Sequence, residues 1–324
     1  MPRKPQPPPL DGALVINKQA GRTSHDVVEA VRRTLGFRQI GHLGTLDPLA
    51  TGVLPLLLGR ATRLAQFYAG RRKRYICTVR FGLATDTYDA DGQPAGPQVP
   101  VVLDRQQLES LLARFVGKFL QTPPPFSAKK VHGRPAHELA RKKKPVHLEP
   151  VEVEVYEFSL REVEGTRARF SIECAPGTYI RSLAHDLGQL YGCGAHLSEI
   201  VRTAVGEFTL DQAVTLEELL QAGQQGRLAD LVIPLEGLLP ELPRVTVLPV
   251  VERRVRHGAR FNVTPAQVQP GQVTVAQGAT TQLDSGGWRP ACLRVFSQQE
   301  KLIAIAQAVV PRTYQPVVVL EAAP

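Results

Sequence analysis

The sequence predicts a mixed α/β protein with a small β-rich, barrel-like domain at its C-terminal end. Short apolar strands and amphipathic helices alternate through residues 13–243. Residues 244–324 contain only turn clusters and short strand patterns, which predict strands at 245–247, 272–276, 291–296 and 301–308. Four prolines between Pro234 and Pro249 mark the boundary between these two domains. Residues 1–12 are rich in proline, and we expect them to form a disordered tail.

The first elements of the larger domain are a strand and a helix. Residues 13–16 form a short apolar run that predicts a buried strand. Ser24 is a good N-cap for the helix that follows, and Gly36 is placed to end it. Between these two residues, apolar side chains recur at helical spacing, namely Val27, Val28, Val31 and Leu35.

Later segments of this domain alternate in the same way. Residues 75–81 alternate as a strand, and residues 151–158 and 167–174 predict a hairpin that turns at Gly165. The segment 177–187 begins as a strand end and continues as a helix, which places Arg181 at the junction. A cation at such a junction can point into a site, although an isolated arginine is more often on the surface.

Composition limits the class of protein and its partners. The chain carries 39 Lys and Arg against 30 Asp and Glu, a net charge of +9, which favours an acidic polymer as partner. Four cysteines without a C-x-x-C pair are typical of reduced thiols in a cytoplasmic protein. The longest apolar run, Val53 to Leu58, is far too short to span a membrane, and the N-terminus does not resemble a signal peptide.

A strongly basic insertion lies at about residues 123–147. Seven Lys and Arg occur between Lys129 and Lys144, with Glu138 as the one acid and few large apolar residues. Such a segment can bury little surface of its own. We therefore expect it to project from the domain and to become ordered on an acidic partner.

The segment GHLGTLDPLATG, residues 41–52, places one carboxylate among three glycines. Asp47 precedes Pro48, and a residue before proline is driven away from helical backbone angles. Asp47 is therefore expected on a loop with an accessible carboxylate. Taken alone, the segment is more typical of an ordinary glycine-rich turn.

Other candidate residues are an aromatic and a few cations, and several standard motifs are absent. Tyr75 directly follows four cations, which suits either a stacked base beside phosphates or a core side chain. The sequence has no G-x-x-x-x-G-K-[ST] or G-x-S-x-G motif. No H-x-x-x-H ligand pair occurs either, so the sequence offers no candidate for metal catalysis.

The Asp47 segment resembles the catalytic motif of the TruB family of tRNA pseudouridine synthases, which isomerise uridine 55 in the T-loop. Four further motifs of that family occur in the same order, over residues 13 to about 205. They are Lys18 with Gly21, Thr23 and Ser24, the pair Arg74 and Tyr75, the insertion motif from Pro124 to Lys130, and the arginine motif from Gly177 to Arg181. The C-terminal segment is similar to the PUA RNA-binding module in position and size.

The resemblance implies a fold, a partner and roles for particular residues. The implied fold has a central, mostly antiparallel sheet, and the partner is the T-arm of tRNA, bound by a cytoplasmic monomer without metal or other cofactor. Asp47 would be the nucleophile, Tyr75 would stack on the flipped uracil, and Arg181 would orient Asp47. The implied substrate-binding residues are Lys18, His42, Asp89, Lys130, Tyr179 and Ile200. His42 would fill the space that the base leaves, Asp89 would hold Arg181, and Ile200 replaces a leucine usual in the family.

Two other classes of function remain open from the sequence. The same surfaces suit an RNA-binding chaperone without essential catalysis. A hydrolase would instead pair Asp47 with a second carboxylate, as glycosidases do, and the candidates are Asp86, Asp89 and Asp91. An isomerised base, an unchanged base or an abasic site in treated tRNA distinguishes the three.

Overall fold

The computed structural model describes residues 10–126, 130–131, 134–135, 148–272 and 291–321. Most of the basic insertion and the first nine residues lie outside this part of the chain, as does most of a strand predicted at 272–276. Within the described ranges, no helix has the length and apolar character needed to cross a membrane.

Strands dominate the chain, and six α-helices accompany them in the described residues. The helices are α1 Ser24–Leu35, α2 Ala65–Tyr68, α3 Arg105–Leu112, α4 Ile180–Tyr191, α5 Leu216–Gln224 and α6 Pro249–Arg256. The strands before residue 180 are β1 Gly12–Lys18, β2 Ile40–His42, β3 Thr51–Leu58, β4 Lys73–Phe81, β5 Gly117–Gln121, β6 Lys130–Val131, β7 Arg134–Pro135, β8 Val151–Glu164 and β9 Arg167–Cys174. The later strands are β10 Ala195–Val205, β11 Phe208–Thr209, β12 Ile233–Pro234, β13 Arg244–Thr246, β14 Phe261–Asn262, β15 Val268–Gln269, β16 Cys292–Phe296, β17 Leu302–Val310 and β18 Thr313–Val319.

A ten-stranded sheet forms the centre of the molecule. Eight of its strands follow the order β12-β1-β3-β10-β4-β9-β8-β5, while β2 also pairs with β3 and β11 also pairs with β10. Every pairing is antiparallel except that of β10 with β3. The expectation of a mixed α/β fold around a mostly antiparallel sheet is therefore confirmed. The parallel contact of β10 and β3 joins segments about 150 residues apart in sequence, which periodicity alone cannot predict.

Helix α1 begins one residue away from the predicted cap. Thr23 is the N-cap: its hydroxyl accepts from the Asp26 N–H, and the Asp26 carboxylate accepts from the Thr23 N–H. The prediction of Ser24 as N-cap is wrong because Thr23 caps equally well and is the residue followed by an acid three positions later. Ser24 is buried instead, and its hydroxyl accepts from the Leu46 N–H at 2.8 Å. Gly36 ends the helix at φ +74°, as predicted.

Strand β4 buries one face, as its alternation predicts. Tyr75, Cys77, Val79 and Phe81 are all at most 8 % exposed and belong to the main core. Helix α4 contributes its apolar stripe to this core, so the strand that carries Tyr75 and the helix that carries Arg181 are fixed together.

A second sheet of six strands occupies the C-terminal region, in the order β14-β18-β17-β16-β13-β15. The strands predicted at 245–247, 291–296 and 301–308 are present in it. Helix α6 was not predicted, because Pro249 was interpreted as part of a proline-rich domain boundary. Proline is nevertheless compatible with the first turn of a helix. An apolar cluster joins Phe296 and Ile305 of this sheet to residues of the first, such as Leu57.

Candidate active site

A cleft of about 270 Å³ opens beside the Asp47 loop. Four parts of the chain line it: the loop itself, strand β4, the start of helix α4 and strand β10. The lining residues are Thr45, Leu46, Asp47, Ala50, Lys73, Tyr75, Gly177, Thr178, Tyr179, Ile180, Arg181, Leu197 and Ile200. Segments from across the first 200 residues thus converge on one cleft.

Lys18 holds the Asp47 loop from beneath. Its side chain is 1 % exposed, and its ammonium donates to the Ala50, Pro48 and Gln19 carbonyls at 2.6, 3.2 and 3.0 Å. Burial lowers the pKa of Lys18 to about 8, against the opposing charge of Asp47. The lysine that the motif comparison placed in substrate binding therefore lies under the loop and is not among the residues lining the cleft.

Arg202 of β10 fixes the same loop from the side of the sheet. The guanidinium is fully buried and donates to the carbonyls of Val53, Thr45 and Gly44 at 2.8, 3.2 and 3.0 Å. Gly52, at φ +98°, allows the backbones of β3 and β10 to pair closely at Arg202, because a Cβ there would lie 2.3 Å from the Arg202 carbonyl oxygen. Sequence reasoning missed Arg202, and its one signal was an arginine within a strand of largely apolar residues.

Arg181 connects the two carboxylates at the cleft. Its Nε lies 2.9 Å from Asp47 Oδ2, and its Nη1 lies 3.3 Å from Asp89 Oδ2. Backbone carbonyls take further donors: Nη1 donates to Thr87 at 3.2 Å and Nη2 to Phe126 at 3.0 Å. The predicted junction position is confirmed, and the arginine is buried, which a surface arginine would not be.

The Asp47 carboxyl is exposed on one side and paired on the other. Its side chain retains 46 % exposure, whereas that of Arg181 retains 7 %. Burial raises the pKa of Asp47, the charge of Arg181 lowers it, and the charge of Asp89 raises it. The ion pair therefore offsets part of the desolvation that would otherwise favour the neutral acid.

Tyr75 lines the cleft from strand β4. It is 8 % exposed, and burial raises the pKa of its phenol to about 12, with the charge of Arg202 opposing that rise. The phenol is therefore protonated at neutral pH, so it can donate a hydrogen bond and is not an anionic base.

The remaining predicted residues divide between the cleft and its surroundings. Tyr179 and Ile200 line the cleft, and Asp89 lies behind Arg181. His42 ends β2 and is exposed, outside the cleft lining. Lys130 begins β6, and its side chain lies outside the described residues.

Gln121 is a further residue that sequence reasoning missed. It is 1 % exposed, and its side-chain amide accepts from the Tyr179 N–H at 2.8 Å and donates to the Tyr179 carbonyl at 3.0 Å. This pair of bonds fixes the backbone one residue before helix α4 begins. Nothing in the local sequence distinguishes Gln121 from a surface glutamine.

The acids near the cleft do not stand free for a second catalytic role. Asp89 is 5 % exposed, and its carboxylate accepts from the Thr87 hydroxyl and the Asp91 N–H as well as pairing with Arg181. Asp86 is exposed and accepts from the Gln93 N–H. Among the residues described, no three metal-ligating side chains come together.

Comparison with known proteins places this arrangement in a family. The N-terminal domain model of the TruB family pseudouridylate synthases matches residues 32–180, and the tRNA pseudouridylate synthase B C-terminal domain model matches residues 181–240. A tRNA pseudouridine synthase B of Solibacter usitatus is 47% identical over 96% of this chain and 100% of its own length. The corresponding protein of Aquifex aeolicus is 43% identical over 78% of this chain and 87% of its own.

Solved structures share the fold at lower identity. An H/ACA RNP bound to a substrate RNA containing 2'-deoxyuridine includes a chain with a TM-score of 0.70 and 22% identity, over 97% of this chain and 85% of that one. A chain of a Cbf5-Nop10-Gar1 complex gives a TM-score of 0.69 at 23% identity, over 96% and 85%. The identity to the full-length relatives and the match of both domain models agree with the motifs read from the sequence, and the chain belongs to the TruB family of pseudouridylate synthases.

Proposed function

We propose that this protein isomerises uridine to pseudouridine at position 55 in the T-loop of tRNA. The observation that carries the proposal is the half-exposed Asp47 carboxylate, paired with buried Arg181 at a cleft of about 270 Å³, which is large enough to admit one nucleobase. The relatives named tRNA pseudouridine synthase B support tRNA as the substrate. The T-loop position follows from the motif resemblance.

The target uridine must leave the folded loop before it can enter the cleft. Flipping costs a few kcal/mol, which contacts in the pocket must offset. The ring of Tyr75 provides a stacking surface for the flipped uracil, and Ile200 provides an apolar one on the same cleft. His42, exposed at the end of β2, is the residue we assign to the space that the base leaves.

Asp47 then serves as the anionic group of the reaction. It attacks or assists departure at the glycosidic carbon, so that the bond from C1′ to N1 breaks. The uracil turns in the cleft, and C1′ bonds to C5 as any bond between C1′ and an Asp47 oxygen breaks, which frees the carboxylate. The C5 proton is then lost and N1 is protonated. Substrate and product are isomers, so the reaction needs no oxidant or nucleotide. The protonated Tyr75 phenol is placed to donate to a basic oxygen or nitrogen as the base turns.

Binding of the rest of the tRNA falls to two basic regions in this proposal. The insertion at about 123–147 carries the cations that would meet phosphates, and Phe126 at its start contacts Arg181 directly. Residues 244–324, with their six-stranded sheet, would hold the RNA away from the cleft. This domain contributes no residue to the cleft lining among those described.

The proposal is tested by incubating the protein with an unmodified T-arm stem-loop and mapping the product. Pseudouridine at position 55 is expected. An unchanged base would favour an RNA chaperone, and an abasic site would favour a hydrolase. Replacing U55 with cytidine in the same stem-loop provides the matched control, because modification elsewhere in that RNA would contradict the assigned position.

A further inference from the structure

The loop from Thr85 to Asp91 contacts two successive helical turns of α4. At the first, Arg181 donates to the Thr87 carbonyl and pairs with the Asp89 carboxylate. Four residues later, on the same face of the helix, the ring of His185 stacks on Tyr88, with centroids 3.8 Å apart and planes 13° apart. Tyr88 thus stands between the two residues that hold the arginine.

Tyr88 adopts a backbone conformation that its side chain does not favour. Its φ is +65°, in the left-handed region, where a bulky residue is strained. Its carbonyl accepts from the Leu197 N–H of β10 at 3.0 Å, and its N–H donates to the Thr85 carbonyl at 3.3 Å. Glycine would take this position more easily, so the contact made by the aromatic ring is what accounts for a tyrosine here.

We infer that the Tyr88–His185 stack is a positioning contact for the Asp47–Arg181 pair, an inference that rests on the proposed role of Asp47. Neither ring lines the cleft, so the stack acts through Arg181. The Asp89 carboxylate is already aimed by the Thr87 hydroxyl at 2.6 Å. Holding Tyr88 against α4 therefore places the Thr87 carbonyl and the Asp89 carboxylate together, and these fix the direction of the guanidinium.

The contact between the rings is made through their faces. The imidazole Nδ1 of His185 is buried and has no hydrogen-bond partner among the described residues. Burial also lowers the pKa of His185, which keeps the ring neutral at neutral pH. A phenylalanine at either position should therefore preserve the stack, whereas an alanine should remove it.

The test compares Tyr88→Ala with Tyr88→Phe on a saturating T-arm stem-loop. We expect the single-turnover rate of Tyr88→Ala to fall by up to about 100-fold, because an error of about 1 Å in a reacting group has that effect. RNA affinity should be unchanged, and Tyr88→Phe should react at the wild-type rate. Tyr191→Ala is the matched control, since Tyr191 also makes an aromatic contact from helix α4, with Phe81 at a centroid distance of 5.5 Å, but lies at the opposite end of the helix from Arg181.

Several results would overturn the inference. A wild-type rate in Tyr88→Ala would show that the stack does not position Arg181, and an equally slow Tyr88→Phe would assign the effect to the hydroxyl. If Tyr88→Ala does not fold, His185→Ala and His185→Phe provide the same comparison from the helix. Asp47→Asn is measured in the same assay. An active Asp47→Asn would contradict the proposed mechanism itself, whereas an inactive Asp47→Asn together with a fast Tyr88→Ala would contradict only the positioning role of the stack.

Discussion

Two buried arginines, one at the cleft and one in strand β16 of the second sheet, are used in different ways. Arg294 is 8 % exposed and donates only to backbone carbonyls, those of Leu242, Glu236, Leu238 and Pro240. Arg181 is equally buried, but it donates to two carbonyls and forms ion pairs with two carboxylates. Both arginines hold loops in place, yet Arg181 also pairs with a carboxylate, that of Asp47, which lines the candidate active-site cleft.

The partners of a buried arginine distinguish a structural role from a role in a functional site. Carbonyls satisfy the hydrogen-bonding capacity of a guanidinium without offering a reactive partner. A carboxylate that is buried on one side and exposed on the other, as Asp47 is, gains an orientation from the arginine and remains available. Arg202 also donates to three carbonyls, but it lies against the Tyr75 phenol, so its contact with the cleft is through a neutral group and not through a carboxylate.

The largest effect should come from removing the carboxylate that distinguishes Arg181. Asp47→Asn keeps the shape of the side chain but removes the anionic oxygen, so we expect turnover to fall by at least about four orders of magnitude. RNA affinity, measured by fluorescence anisotropy, should persist. Asp86→Asn is the matched control, because Asp86 is an exposed acid of the neighbouring turn and should leave turnover intact. Near-wild-type turnover in Asp47→Asn would show that the pairing of Arg181 with Asp47 does not serve the reaction.

The same conservative change at the two arginines should separate their roles. Arg181→Lys keeps the charge but loses the planar fork, and we expect a loss of about 100- to 1,000-fold in turnover, with a smaller decrease in Tm than in Arg294→Lys because Arg181 donates to two carbonyls and Arg294 to four. Arg294→Lys should lower Tm, because carbonyls lose donors, and leave turnover per folded molecule near the wild-type value. A lower turnover in folded Arg294→Lys than in Arg181→Lys would contradict this division.

A smaller effect is expected at Tyr75, whose phenol faces Arg202. Tyr75→Phe retains the ring, so RNA affinity should survive, while single-turnover rate falls by about 100-fold through loss of the hydroxyl proton. Tyr75→Leu also removes a stack worth about 1–3 kcal/mol and should weaken RNA binding. Equally poor RNA binding by both variants would show that the ring does not stack on a base.

The smallest effect concerns Lys18, a buried cation that, like Arg294, donates to carbonyls. Its folded pKa of about 8 lies below the value of 10.5 for a free lysine, so the unfolded chain binds the extra proton between these values. The Lys18 contribution to stability should therefore rise with pH across this window. Urea unfolding at pH 7.5 and 9.5 should show that the free energy of unfolding of wild type increases relative to that of Lys18→Met. A constant difference between the two proteins would mean that the pKa of Lys18 is not lowered in the folded state.

Local sequence determined the secondary structure and the chemical inventory. The alternation of residues 75–81 and of 151–174 is sufficient for their strands, because a half-buried strand requires a period of two. The glycines and Asp-Pro of residues 41–52 placed Asp47 on a loop, and ordered motifs identified the family. Each single strand, loop or motif lies within about a dozen neighbouring residues, where backbone sterics and burial act directly.

Tertiary structure alone decided which cations meet carboxylates. Arg181 and Arg202 look alike in sequence, yet the pairing of β10 with β3 directs Arg202 to carbonyls, and the Thr85–Asp91 turn directs Arg181 to Asp47 and Asp89. Lys18, assigned to substrate binding by its motif, lies under the loop, and Gln121 fixes Tyr179 from 58 residues away. Such contacts depend on chain segments that meet only after the sheet closes, so no local pattern records them.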